Sequence, residues 1–199
     1  MRRTLVLFVR APLLGSGKRR LAREIGDVAA LRFERTMIAR LLRRLATDRR
    51  WRVRIAVTPD RAWRRARHWR KGVEVVGQGD GDLGKRMRRA LGNCPCGPVA
   101  LVGADIPSLA ACHVAAAFRL LGRHDLVFGP AEDGGFWLIG ARHPRHLPLL
   151  FERVRWSGPH TLADALGRLP RRLTVGYAER LEDVDEANAY RRLKPDRGF

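Results

Sequence analysis

The chain has 199 residues, 45% of them hydrophobic, enough for a single α/β domain over residues 1–199 and too little for two full domains. Forty Lys+Arg against 20 Asp+Glu give a formal charge of +20, so the expected partner is anionic. No apolar run reaches the roughly 18 residues of a membrane span, and three cysteines do not make a disulfide framework.

Residues 4–9, Thr4-Leu5-Val6-Leu7-Phe8-Val9, are almost continuously apolar and predict a strand covered on both faces. The preceding Met-Arg-Arg imitates a signal-peptide start, but the apolar run is short and Arg10 ends it. Arg10-Ala11-Pro12 then leads to Gly15-Ser16-Gly17-Lys18-Arg19-Arg20-Leu21. Two glycines let backbone approach a ligand closely, and the following cations suit phosphates. Neither the Walker A nor the dinucleotide glycine spacing is present, so a plain basic turn is the competing reading. Asp27 is expected to cap a long helix whose apolar stripe is Leu31, Met37, Ile38, Leu41, Leu42 and Leu45. Arg32, Arg35, Arg40 and Arg43 would form its solvated face. A second strand is expected over 53–58 and a third over 73–76. Between them, Arg61 to Arg70 carries Trp63 and Trp69, a mixture also found on nucleic-acid surfaces. A peripheral helix packing its tryptophans is the simpler account.

Gln78-Gly79-Asp80-Gly81-Asp82-Leu83-Gly84-Lys85-Arg86-Met87 is a second informative loop. Asp82 would cap a helix to Leu91, with Leu83, Met87 and Leu91 facing the core and Arg86 one turn in. Cys94-Pro95-Cys96 lacks the second ligand pair of a zinc site. A central strand over 99–103 ends at Gly103-Ala104-Asp105-Ile106-Pro107, and Ser108 is expected to cap a helix over 109–121. A strand over 125–129 follows, then Ala131-Glu132-Asp133-Gly134-Gly135 and another strand over 136–140. Trp156-Ser157-Gly158 suits a lid, 161–169 a modest helix and 173–177 a strand. Asp183 and Asp185 precede a terminal helix, where one carboxylate would cap and the other remain free.

Strands separated mainly by helices predict one mostly parallel sheet with helices on both faces. Ligands of such sheets bind at the C-terminal strand edge. A lone carboxylate there, Asp105, would repel phosphates unless a divalent cation lay between.

Taken together, these stretches resemble a family of small bacterial GT-A-like transferases once grouped as a domain of unknown function. Its members are often called glycosyltransferases of the arsenosugar-biosynthesis type. The resemblance covers nearly the whole chain and rests on the Arg10-Ala11-Pro12…Gly17-Lys18 loop, the 81–87 loop, Gly103-Ala104-Asp105-Ile106-Pro107, residues 129–140 and Asp183-Val184-Asp185. It implies a three-layer α/β/α fold with a Rossmann-like sheet and an antiparallel insertion over 135–140. The chain departs from the family pattern at Arg19, at Ala104 and Ile106, and at Gly158, positions where hydroxyl residues are usual.

The implied reaction is transfer of a sugar from a nucleoside diphosphate sugar to a small acceptor, with Mg²⁺ or Mn²⁺ on Asp105 and Asp185, or on Asp183 instead. Lys18 and Arg86 would meet at one phosphate site. Arg10, Ala11, Pro12, Gly17, Arg19, Asp82 and Gly103 would complete the nucleotide site, and Asp133 would serve as general base. The alternative within the superfamily is nucleotidyl transfer from an NTP to a small phosphorylated acid. A nucleic-acid-binding role is the alternative of another class. Against it, the arginines are scattered through every segment rather than gathered in one stripe. A cytoplasmic location is expected.

Overall fold

Seven strands form one sheet in a computed structural model that describes residues 2–144, 147 and 151–182. They are β1 (Arg3–Arg10), β2 (Trp51–Thr58), β3 (Glu74–Gly77), β4 (Val99–Gly103), β5 (Leu126–Pro130), β6 (Phe136–Ala141) and β7 (Val175–Tyr177). Their spatial order is β3-β2-β1-β4-β6-β5-β7. Every neighbouring pair is parallel except β6, which runs antiparallel to both β4 and β5. The mostly parallel sheet and its antiparallel insertion are therefore as expected. The register Phe8↔Gly103 and Arg10↔Thr58 brings the loops after β1, β2 and β4 to one edge.

Side-chain alternation divides the core between the two faces. Leu5, Leu7 and Val9 pack on one side with Ile38, Leu41, Leu42 and Leu45 of α2 (Asp27–Leu45) and with Val114 and Phe118 of α5 (Ala111–Leu120). Val6 packs on the other with Met87 and Leu91 of α4 (Leu83–Gly92) and Ala165 of α6 (Thr161–Gly167). Coverage of both faces is why these strands read as continuous apolar runs. None of the described helices is long and apolar enough to cross a membrane.

Several element boundaries differ from the sequence reading. Residues 19–21 belong not to a loop but to α1 (Arg19–Ile25), whose Leu21 packs with Ala30, Phe33 and Met37. Asp27 is the first residue of α2 and Gly26 the cap. The stretch after β2 makes only a 3₁₀ turn, Asp60–Ala62, and the one-turn α3 (Trp63–Ala66). Trp69 packs against the core, whereas Trp63 is exposed between Arg64 and Arg67. Ser108 does not cap α5. That helix starts three residues later because the ring of His113 accepts the Ala110 N–H through Nδ1 at 3.0 Å. The expected caps and strands elsewhere shift by one or two residues, as fraying ends do.

Candidate active site

Asp105 lies two residues beyond β4, and its carboxylate folds back over Gly103. Its Oδ2 accepts from Lys18 Nζ at 3.0 Å, a bond between groups 87 positions apart. The Asp105 side chain remains 37% exposed, while that of Lys18 is 11% exposed. Lys18 is the N-cap of α1 in the left-handed region, φ 41° and ψ 45°, a conformation that a non-glycine residue adopts at a cost. The bare backbone of Gly17 just before it makes room for the Glu34 carboxylate, which any Cβ would strike.

Around this pair opens a cleft of about 560 Å³. Arg10, Lys18, Arg19 and Arg20 line its basic side. Asp133, Trp137, Trp156, Ser157 and Thr161 line the opposite side. Asp133 Oδ1 accepts from the Gly135 N–H at 2.8 Å, which fixes the acidic turn. Trp156 rests against Phe136 and Phe151, so the expected lid residue is anchored by aromatic packing. A second cavity of about 290 Å³ continues inward among Phe8, Phe33, Met37 and Leu101.

Arg86 is held differently from Lys18. Its Nη1 donates to Gln78 Oε1 at 3.0 Å, and its Nε is buried without a partner among the described residues. Burial lowers its pKa, and the nearby positive charge of Arg10 lowers it further. Arg86 does not line the 560 Å³ cleft, whereas Arg10 does, so the two basic loops approach each other through Arg10. Asp82 accepts from the Lys85 N–H at 2.8 Å and caps α4, so its carboxylate is engaged with backbone. Ala11, buried, donates its N–H to Thr58 at 2.8 Å, and Pro12 lines a separate groove with Trp69. Asp185 and Asp183 lie outside the described residues.

Two residues escape the sequence reading. Glu34 lines both cavities, and burial raises its pKa while Lys18 and Arg10 pull it back down and Asp105 raises it again. Its signal was its position: with Ala30, Met37, Ile38 and Leu41 it falls on the apolar stripe of α2. Gln78 is fully buried and donates through Nε2 to Val9 O at 3.0 Å and Ala56 O at 2.9 Å. Only its place directly after an apolar strand hinted at this.

Residues 41–158 match a family model described as an uncharacterized protein conserved in bacteria, DUF2064. The chain belongs to the DUF2064 family. Among curated proteins none matches it. A crystal structure of a candidate nucleotide-diphospho-sugar transferase from Desulfovibrio desulfuricans G20 is similar over 98% of this DUF2064 chain and 90% of its own, with TM-score 0.89 and 28% identity. CMP:2-keto-3-deoxy-manno-octonic acid synthetase complexed with CTP has TM-score 0.63 and 13% identity, covering 97% of each chain. Glucosyl-3-phosphoglycerate synthase from Mycobacterium tuberculosis, in complex with Mn²⁺, UDP and glucosyl-3-phosphoglycerate, has TM-score 0.55 and 14% identity. That match covers 92% of this chain and 70% of the synthase. The last two likenesses concern the fold alone, which is the three-layer GT-A-like one.

Proposed function

We propose that this chain is a metal-dependent glycosyltransferase that moves a sugar from a nucleoside diphosphate sugar to a small acceptor, working as a single domain. The observation that carries the reading is the Lys18–Asp105 pair at the C-terminal sheet edge, where both residues line the 560 Å³ cleft. Open α/β sheets take their ligands at that edge. Lys18, Arg10 and Arg19 supply positive charge for the diphosphate. The match to a candidate nucleotide-diphospho-sugar transferase supports the donor class.

Asp105 fits Mg²⁺ or Mn²⁺: it offers a hard oxygen ligand, its carboxylate already attracts the cationic ammonium of Lys18, and such ions take one or two carboxylates beside substrate phosphates. The manganese and UDP held by a similar fold support the same choice. Among the described residues no group of three His, Cys, Asp or Glu gathers to hold an ion. Asp185, or Asp183 in its place, is proposed as the second ligand on the family resemblance. A bound ion would offset the diphosphate charge and the charge developing on the departing nucleotide. Asp133 is proposed to accept the proton of the acceptor hydroxyl through Oδ2, since Oδ1 is engaged by Gly135. Free thiols at Cys94, Cys96 and Cys112 suit a reducing, cytoplasmic setting.

Nucleotidyl transfer is the second reading, favoured by one feature. Arg10 and Arg86 lie close enough to lower the pKa of Arg86, a concentration of positive charge that also suits a triphosphate. Turnover of UDP-sugars against NTPs, with and without Mg²⁺ or Mn²⁺, distinguishes the two. In either case Asp105→Asn should reduce metal-stimulated turnover on the order of 100-fold or more while circular dichroism stays unchanged. A folded variant with undiminished metal stimulation would remove Asp105 from the mechanism.

A further inference from the structure

We infer that Glu34 makes binding of a diphosphate in this cleft conditional on an accompanying divalent cation. The inference rests on the phosphate site proposed above. It begins with the misfit of Glu34 to its surroundings. A carboxylate on the apolar stripe of α2, beside buried Ala30, Met37 and Ile38, is costly unless cations face it. The cations are there: Lys18 and Arg10 both act on it. Its carboxylate lies directly on the bare α-carbon of Gly17, and the next residue, Lys18, turns through the left-handed region to place its ammonium 3.0 Å from Asp105.

Lys18 is thus held between two acidic side chains, Asp105 by a direct bond and Glu34 through its charge. Of the cations that line the cleft, Lys18, the one nearest Asp105, already has its charge answered, which leaves Arg10 and Arg19 to meet phosphates. A diphosphate entering alone adds like charge beside Glu34 and Asp105 in a partly desolvated recess, where repulsion is stronger than in water. A diphosphate carrying Mg²⁺ or Mn²⁺ brings compensating charge and escapes most of that repulsion. Glu34 therefore discriminates metal-complexed diphosphates from free phosphate and metal-free nucleotides.

Inorganic pyrophosphate is the suitable probe, since it carries the diphosphate without a nucleobase or sugar. Its affinity for the full chain is measured by calorimetry with and without Mg²⁺, for the wild type, Glu34→Gln and Glu34→Ala. The wild type should bind the magnesium complex at least about tenfold more tightly than metal-free pyrophosphate. Both variants should gain on the order of tenfold for metal-free pyrophosphate and little for the complex, so the ratio collapses. Two substitutions guard against one failing to fold, and a merely structural Glu34 would weaken both affinities together. Folded variants that keep the wild-type ratio overturn the inference. A wild type that binds pyrophosphate equally with and without Mg²⁺ overturns it too, leaving the phosphate site standing. No pyrophosphate binding under any condition would overturn the inference and the phosphate site alike.

Discussion

Gln78 satisfies three groups with one amide: its Nε2 bonds the carbonyls of Val9 and Ala56, and its Oε1 receives Arg86. The two carbonyls belong to adjacent strands at the edge where the cleft opens, so the side chain holds the spacing of β1 and β2 there. Gln78→Leu keeps approximate size but leaves both carbonyls buried without that donor. Both carbonyls lie in the β1–β2 ladder and keep that pairing, so each lost side-chain bond is worth about 0.5–1.5 kcal/mol and a stability loss of roughly 1–3 kcal/mol is expected in urea titration. Arg86 loses its acceptor as well, which adds to that loss. A loss below about 0.5 kcal/mol would show that the carbonyls find other donors. Residues such as this are hard to read from sequence, since a single glutamine after a strand has no period to betray it. Glu34 is different: the sequence reading passed over it, although its register with Met37 and Ile38 places a carboxylate on the buried stripe of α2.

Elements at the far edge of the sheet are tied by side chains as much as by strand ladders. β7 is only three residues long, and Asp125, just before β5, accepts from the Thr174 N–H at 2.9 Å and the Thr174 hydroxyl at 2.8 Å. These bonds, the backbone one foremost, hold the Asp125 carboxyl below the usual carboxylate range. A folded-state pKa below the unfolded one contributes stability that is present above about pH 4 and is lost as pH falls through the folded value. Asp125→Asn should therefore lower Tm at about pH 6, and the gap to wild type should narrow as pH approaches 2. Thermal melts across that range check it, and a gap that persists in acid would assign the effect to geometry rather than charge. The strands themselves were legible because burial on both faces writes them as apolar runs. The short helices were not. α1 buries only Leu21 and owes its place to docking on Ala30, Phe33 and Met37, which is tertiary information. The start of α5 was misread for a related reason: Ser108 looked sufficient as a cap, but His113 three residues inside the helix takes the Ala110 N–H instead.

For the molecule as a whole, the charge of +20 and the specific site make separable claims. Arginine is spread over every segment, and the basic stretch at residues 61–71 exposes Trp63 beneath Arg64 and Arg67. Such a surface attracts any polyanion at low salt through counterion release. The cleft, by contrast, gathers Arg10, Lys18 and Arg19 about one acidic pair, and its ligands are short. Binding of a single-stranded RNA should accordingly fall by on the order of 10³ or more between about 50 and about 200 mM salt. It should also be indifferent to Asp105→Asn and to added Mg²⁺ beyond ionic strength. Binding of the nucleotide donor should fall far less over that salt range and should respond to both, because it depends on a few desolvated groups at the end of β4. Fluorescence anisotropy of a labelled RNA, beside calorimetry of the nucleotide, measures the two in parallel. RNA affinity that survives high salt and falls with Asp105→Asn would mean that the cleft itself receives nucleic acid. That outcome would transfer the biological role from small-molecule transfer to polymer binding, since a diffuse field cannot distinguish one carboxylate among forty basic side chains.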